Sequence, residues 1–371
     1  MIDLLGALVS IDSQSRDSEG VTAVTRAIDD FLRARGIATQ SFINDAYGKC
    51  LRAAAAPSVA APVVMMGHCD TVFPRGEAAR RPFRVADGRA YGPGVSDMKG
   101  GLVLNAFILE ALATLGENVT PAVALFTADE EIASPWSRTI ISETCRGARA
   151  VFNSEAGRPS GNIVSARNGG VFFRMEVEGR PAHSGANFTA GINAVTEAAH
   201  KVLAVAGITD LGLGITANPG AIGGGQAFNI VAANAFIEGE VRYRSVADRA
   251  RLRAEIERIA STCTIEGAKA RLIVHGEFPP MEESAGSRAL KKIYYVAAKD
   301  AGFTTQAEFS GGCSDAGITA SDGIPTLCGV GPIGGQAHTE REYLEIESLV
   351  PRAQALAVTV MRASAAVACA D

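Results

Sequence analysis

Three short apolar runs in this chain end alike, and the shared ending constrains the fold more than any other feature. "PVVMMGHCD" (62–70) runs into His68 and Asp70, "AVALFTADEE" (122–131) into Glu130 and Glu131, and "ARAVFNSEAG" (148–157) into Glu155. Each run is short and apolar throughout, as a strand buried on both faces is. Between the first two lies "GGLVLNAFILEALATLG" (100–116), a long apolar helix stopped by Gly116. Two further helical patterns occupy residues 3–36, the second closed by Gly36. Strands alternating with helices predict an α/β fold around a mostly parallel, doubly wound sheet. Such sheets gather ligands beyond the carboxyl ends of their strands. Histidine or acid at successive strand exits therefore predicts a polar site on one rim of an apolar core.

The texture changes near residue 168. "GGVFFRMEVEG" alternates apolar and polar residues, as a half-exposed antiparallel strand does. The helix "GINAVTEAAHKVLAVAG", two alternating strands in "AFNIVAANAFIEGEVRYRS", the helix "VADRARLRAEIERIAST" and the strand "ARLIVHG" follow. That β-α-β-β-α-β order is the ferredoxin-like signature. It predicts an inserted domain over 168–280 within a first domain formed by 1–167 and 281–371. "RAAAAPSVAAPV" (52–63) reads as a connector.

Composition narrows the function. With 371 residues the chain is long enough for two domains. Lys plus Arg number 35 against 40 Asp plus Glu, a formal net charge of -5, which argues against nucleic acid or an anionic membrane as the main partner. No apolar run reaches the roughly 18 residues a membrane span needs, and no leader pattern opens the chain. Seven cysteines, an odd number without a CxxC pair, fit reduced thiols in the cytoplasm better than a disulfide framework.

His68, Asp97 in "GPGVSDMKGG", Glu130 and Glu131, Glu155, and His338 in "GGQAHTE" all stand at strand exits or in glycine-rich turns. Singly, each has an ordinary structural reading: a strand-end histidine, a solvated acidic turn, or, for Asp97, a cap on the helix that begins near Gly100. Together they suit a pair of divalent metal ions, since zinc accepts imidazole nitrogen and carboxylate oxygen and one carboxylate can bridge two ions. Glu130 and Glu131 are neighbours and would point opposite ways in an extended segment, so both serve one site only if the chain turns there.

The motifs "GHCDTVFP", "AYGPGVSDMKGG", "FTADEE", "NSEAG", "PAHSG", "GGQAFNIVA", "GGCSDAGITA" and "GVGPIGGQAHTEREYLEI" occur in that order over nearly the whole chain. The chain thereby resembles the co-catalytic zinc family of glutamate carboxypeptidases, acetylornithine deacetylases, succinyl-diaminopimelate desuccinylases and aminoacylases. It looks most like the glutamate carboxypeptidase branch. The resemblance implies two zinc ions, with cobalt or manganese as alternatives. His68 and Glu155 would bind one, Glu131 and His338 the other, and Asp97 would bridge them. It makes Glu130 the general base and Asp70 the acceptor of the His68 ring N–H. Relatives carry a cis peptide directly after the bridging aspartate, here Asp97–Met98. The inserted domain would be a lid through which a homodimer forms. From it His183 would reach across the dimer to steady the oxyanion, Asn229 and Arg242 would hold the substrate's carboxylate or carbonyl, and Gly311 with Gly312 would wall the pocket.

The expected function is hydrolysis of an amide in a small N-acyl amino acid or dipeptide-like substrate with a free carboxylate. The alternative keeps the metal site and changes the substrate: an N-deacetylase or aminohydrolase acting on a non-peptide C–N bond. A silent binding protein on the same fold fits poorly with a complete ligand set that retains Glu130. No GxSxG and no P-loop Lys-Ser/Thr occur, which argues against serine hydrolase chemistry and nucleotide binding. Trp136 reads as packing at the site's rim and His200 as structural. One departure bears on specificity. Where glutamate carboxypeptidases carry an Arg-Gly pair at the end of the lid, this chain has His275-Gly276, so an arginine for carboxylate recognition would be missing.

Overall fold

The computed structural model describes residues 1–55, 61–116 and 121–366. The chain divides into two compact units, one built from Met1–Ala166, Met281–Ser310 and Ser314–Asp371, the other from Arg167–Pro280 and Gly311–Cys313.

The first unit is organised by an eight-stranded sheet. Its spatial order is Ala38–Asn44, Gly48–Ala54, Ala122–Thr127, Val63–His68, Ala150–Asn153, Thr326–Cys328, Ile163–Arg167 and Ala307–Ser310. The four middle strands run parallel. The sheet turns antiparallel on both sides of them, at Gly48–Ala54 and at Ile163–Arg167. Every residue of Val63–His68 and of Ala122–Thr127 is buried, which explains why these segments read as unbroken apolar runs. In register His68 lies beside Thr127, and Met66 beside Asn153. The chain therefore leaves three adjacent strands at one edge within three residues of His68, Glu130 and Glu155.

The helix Gly100–Thr114 starts against that edge. A Cβ at Gly101 would sit 1.9 Å from the Ser154 carbonyl oxygen, so only glycine allows this approach. A buried knot fixes the neighbouring exit. Ser154 Oγ donates to Asn105 Oδ1 at 2.6 Å, and Asn105 Nδ2 and Ser154 N both donate to the Met66 carbonyl, at 3.2 and 3.0 Å. The expected connector is shorter than 52–63: residues 52–54 belong to the strand Gly48–Ala54, and residues 56–60 lie outside those described.

A small antiparallel sheet has no counterpart in the sequence reading. Its strands, Gly334–Gly335, Tyr343–Glu345, Arg89–Tyr91 and Arg84–Ala86, are two or three residues long, too short for a periodicity. The first two form a hairpin whose tip carries His338.

The second unit is a four-stranded antiparallel sheet with two helices, Ala194–Ala206 and Val246–Ser261. Its spatial order is Thr216–Gly224, Asn234–Tyr243, Gly169–Glu178 and Lys269–Phe278. The pattern of a ferredoxin-like unit emerges, with the first and third strands in the middle. Asn193 caps the first helix by accepting from the Val195 and Thr196 N–H groups, and Ser245 caps the second through Asp248 N. The core is apolar, with Phe173, Met175, Ile237, Val241, Leu252 and Ile256 at its centre. His200 stands exposed on the first helix, and His275 is the exposed bulge residue of Lys269–Phe278, where the register shifts between Val274 and Gly276.

Asp29, on the helix Ser18–Arg33, ties that helix to the hairpin of Ala38–Asn44 and Gly48–Ala54. It accepts from Arg33 Nε at 2.7 Å, Thr39 Oγ1 at 2.7 Å and Lys49 Nζ at 2.6 Å. Burial pushes its pKa up, but the bonds from Lys49, Thr39 and Arg33 outweigh burial and hold it below the usual value. A carboxylate depressed in the folded state stabilises above its unfolded pKa, and that contribution disappears as pH falls through the folded value. Asp29→Asn is therefore expected to cost about 1–3 kcal/mol at pH 7 and progressively less below about pH 4. Urea unfolding of parent and variant at both pH values checks this; a gap independent of pH refutes it.

Candidate metal centre

His68 ends its strand with both ring nitrogens engaged. Nδ1 lies 3.0 Å from the Asp70 carbonyl oxygen and 3.3 Å from Asp70 Oδ1. Both neighbours are acceptors, so Nδ1 carries a proton, and Nε2 is the nitrogen left to bind an ion in place of its own proton. Nε2 faces Asp97 Oδ1 at 3.3 Å, Glu155 Oε1 at 3.7 Å and Glu130 Oε2 at 3.9 Å. The main-chain carbonyl of Asp70 thus stands nearer to the ring than the carboxylate expected from the sequence.

The carboxylate of Asp70 has other work. Oδ1 accepts the Glu130 N–H and Oδ2 the Glu131 N–H, both at 3.1 Å, and Oδ2 also accepts from Ser15 Oγ at 2.7 Å. These bonds hold the turn that two adjacent glutamates need, and the chain makes one 3₁₀ turn at Glu130–Ile132. Asp129, directly before it, accepts from the Trp136 N–H at 2.8 Å and fixes the far side of the loop. Trp136 itself packs partly buried against the core.

Asp97 lies in the irregular turn Val95–Lys99, and its peptide bond to Met98 is cis. Its two oxygens face different imidazoles: Oδ1 is 3.3 Å from His68 Nε2, and Oδ2 is 3.3 Å from His338 Nε2. His338 Nε2 is also 3.3 Å from Glu131 Oε2. Three of these groups, His68, Asp97 and Glu131, offer ligand atoms within 4.8 Å of one another.

Charge crowding dominates the electrostatics. Burial lifts Glu130 well above the usual carboxylate range, with Glu155, Asp315 and Glu131 adding to the lift. Burial and the Asp97 charge push Glu131 to about 7. Burial alone would pull His68 down, but Glu130, Asp70, Asp97 and Glu155 carry it well above its ordinary value. Hydrogen bonding to Asp97 and Glu131 takes His338 to about 10. Burial opposes ionisation of Asp97, yet the two histidines hold it below its usual value. The cluster thus draws protons to itself, and divalent cations meet the same need with more charge.

The residues fit such ions by two observations. A separation of 3.3 Å is long for a charge-assisted hydrogen bond, about 2.7–2.9 Å, yet it equals the edge of a tetrahedron with metal–ligand bonds of about 2.0 Å. Glu131 Oε1 is buried with no hydrogen-bond partner, which leaves a carboxylate oxygen available to a cation.

Sequence reasoning missed several supports. Glu342 accepts three backbone N–H groups of the Asp97 turn. Asp315, pushed to about 7 by burial, accepts from Ser134 Oγ close to the Glu130 turn. Ser15 braces Asp70 from the N-terminal segment. None lies in a run whose pattern announces it, though Glu342 stands four residues after His338 in a quoted motif.

The remaining expected residues belong to the second unit. His183 sits in an exposed loop, and its Nδ1 accepts the Gly185 and Ala186 N–H groups at 3.2 Å. That leaves the proton on Nε2. The Asn229 carbonyl accepts from Ser184 N at 3.0 Å, which joins its loop to that of His183. Arg242 is already held: Nε and an Nη2 hydrogen go to Glu240 at 2.9 and 2.8 Å, and Nη1 donates to the Gly311 carbonyl at 2.9 Å. Gly311 faces open space where a Cβ would stand, and the Gly312 carbonyl accepts from Arg167.

Comparison with known proteins supplies the relatives. The profile of the family described as Peptidase family M20/M25/M40 matches residues 64–362. Carboxypeptidase G2 of Pseudomonas sp. (strain RS-16) is 30% identical over 363 residues, which cover 95% of this chain and 86% of that protein. Among solved structures, a tripeptidase from Staphylococcus aureus superposes with a TM-score of 0.77 at 22% identity, over 98% of both chains. A dinuclear metal-binding peptidase of the M20 family from Bacillus subtilis does so with a TM-score of 0.68 at 16% identity, over 98% of this chain and 97% of that one.

The geometry predicts uptake of two equivalents of divalent cation per chain, and only one tight equivalent in His338→Ala, which keeps His68, Asp97 and Glu155. Isothermal titration of chelator-stripped protein with zinc checks this; a variant that still takes two tight equivalents overturns the assignment of His338.

Proposed function

Because this chain belongs to peptidase family M20/M25/M40, and so to hydrolases of C–N bonds, we propose that it is a two-zinc amidohydrolase. It cleaves a small N-acyl amino acid or dipeptide-like substrate with a free carboxylate, in the manner of a carboxypeptidase. The observation that carries the reading is the placement of Asp97, with one oxygen 3.3 Å from each of two imidazoles. His68, Glu155 and Asp97 would hold one ion, and Glu131, His338 and Asp97 the other.

A pair of such ions supplies Lewis-acid polarisation of the scissile carbonyl and lowers the pKa of water to about 7. The chain's own residues supply the rest. Glu130, buried beside His68 and turned inward by Asp70, takes a proton from water at its carboxylate and returns it to the leaving nitrogen. Asp70 holds the His68 proton on Nδ1, which keeps Nε2 a ligand. His183, with its proton on Nε2, is the donor for the oxyanion. In a homodimer formed through the second unit, a lid by this reading, one protomer would deliver His183 to the other's metal centre. Asn229, Arg242 and the Gly311–Gly312 backbone would line the substrate's carboxylate end. Cys50, Cys69, Cys145 and Cys263 are free thiols, which supports a reducing compartment, the cytoplasm.

One observation favours a leaving group other than glutamate. Arg242 is engaged by Glu240, and His275 stands on the strand Lys269–Phe278 where the resemblance to glutamate carboxypeptidases leads one to expect an arginine. The N-deacetylase or aminohydrolase alternative shares this metal site, and a panel of N-acyl amino acids, dipeptides and non-peptide amides separates the two.

Glu130→Gln is expected to keep both ions and lose about 10²–10⁴-fold in kcat, read by steady-state kinetics on the best panel substrate. Two bound ions with full activity would overturn the mechanism. Glu240→Gln releases the Arg242 guanidinium, and kcat/KM for an N-acyl glutamate should rise several-fold relative to the matching N-acyl alanine. An unchanged ratio removes Arg242 from substrate recognition.

A further inference from the structure

Glu342 lies at the C-terminal foot of the His338 hairpin, directly before the strand Tyr343–Glu345, and is fully buried. Its Oε1 accepts the Ser96 and Asp97 N–H groups at 2.8 and 2.9 Å, and its Oε2 the Gly94 N–H at 3.0 Å. A carboxylate this far from solvent persists only where hydrogen bonds replace water. Here all three donors come from one turn, and one is the N–H of Asp97 itself.

The turn needs an outside acceptor. The N–H groups of Gly94, Ser96 and Asp97 stand at the start of the turn, where no preceding helical carbonyl can accept them, and Asp97 (φ -113, ψ 92) and Met98 (φ -129, ψ 37) are not helical. Its entry is pinned as well. Gly94 has φ 72, and a Cβ there would sit 2.5 Å from Thr71 Cγ2. The turn is thus fixed against the His68–Thr71 segment on one side and against Glu342 on the other. Glu342 N also donates to the Thr339 carbonyl at 3.2 Å, within the tip that carries His338.

We propose that Glu342 is a positioning residue of the metal centre: by clamping the backbone from Gly94 to Asp97 onto the His338 hairpin, it sets the Asp97 carboxylate between the two imidazoles. The role rests on the two-cation reading of the site. It differs from ordinary buried packing because the clamp joins two ligand-bearing segments, and its loss should reach the ions before it reaches the fold. Glutamine at 342 keeps the shape but presents one acceptor oxygen and one NH₂ donor, so at least one of the three N–H groups meets a donor and the turn must rotate away.

The test titrates chelator-stripped protein with cobalt(II) chloride, followed by its visible absorption bands, for the parent, Glu342→Gln and Glu342→Asp. The parent should bind two equivalents. Glu342→Gln should bind at least one of them about 10–100-fold more weakly, with altered bands, at a temperature where the metal-free variant is folded by circular dichroism. Glu342→Asp keeps the charge, falls one methylene short and should lie between. Parent affinities and bands in Glu342→Gln overturn the positioning role while the two-cation reading stands. A parent that fails to bind two equivalents overturns that reading, and this inference with it. If Glu342→Gln does not fold, Glu342→Asp decides on the same criteria. If neither variant folds without metal, Glu342 serves the fold and the proposal is wrong.

Discussion

Four carboxylates and two imidazoles at the edge of one sheet cannot satisfy one another. Asp97, Glu130, Glu131 and Glu155 repel at close range, and burial makes every ionised group among them more costly. The two imidazoles answer with one extra proton each, drawn in by the carboxylates around them. The surplus is tolerable only where positive charge is concentrated in their midst, and a folded chain that maintains it is built to hold cations. The register of the parallel strands, the tight helix start at Gly101 and the hairpin that ends at His338 all serve to keep that surplus in place.

The scaffold does this with backbone amides more than with side-chain cations. Asp70 accepts the N–H groups of two consecutive glutamates, and Glu342 accepts three from the Asp97 turn. An amide donor fixed in a turn stabilises a carboxylate without adding a mobile charge that would compete with a metal ion. The acids that orient thus stand apart in role from the acids that coordinate, although their residue types are the same.

Much of this was legible in the sequence because its causes are local. A strand buried on both faces must be apolar throughout, so the runs ending at His68, Glu130 and Glu155 declared both the sheet and its polar edge. The alternation in residues 169–179 declared the second sheet in the same way. His338 carried no such strand signal: its hairpin strands are too short for any period, and only its glycine-rich turn and the resemblance marked it. Asp70 was legible as a partner of His68, but not as the acceptor that turns Glu130 and Glu131 inward, since backbone donors leave no trace in residue type. Glu342 was illegible for the same reason, because its partners lie 245–248 residues away and are amides. The pairing of Arg242 with Glu240 could be seen as a spacing of two on one strand face, yet its bearing on specificity needed the geometry.

The two imidazoles differ in one further respect. The side chain of His68 is 2% exposed, whereas that of His338 is 52% exposed at a hairpin tip. Solvent and small chelating molecules reach one half of the cluster far more readily than the other. Ions held there would exchange at unequal rates, the outer one swapping with its surroundings while the inner one stays through many such events. Occupancy in a cell would then follow the metal supply at one position and the history of folding at the other.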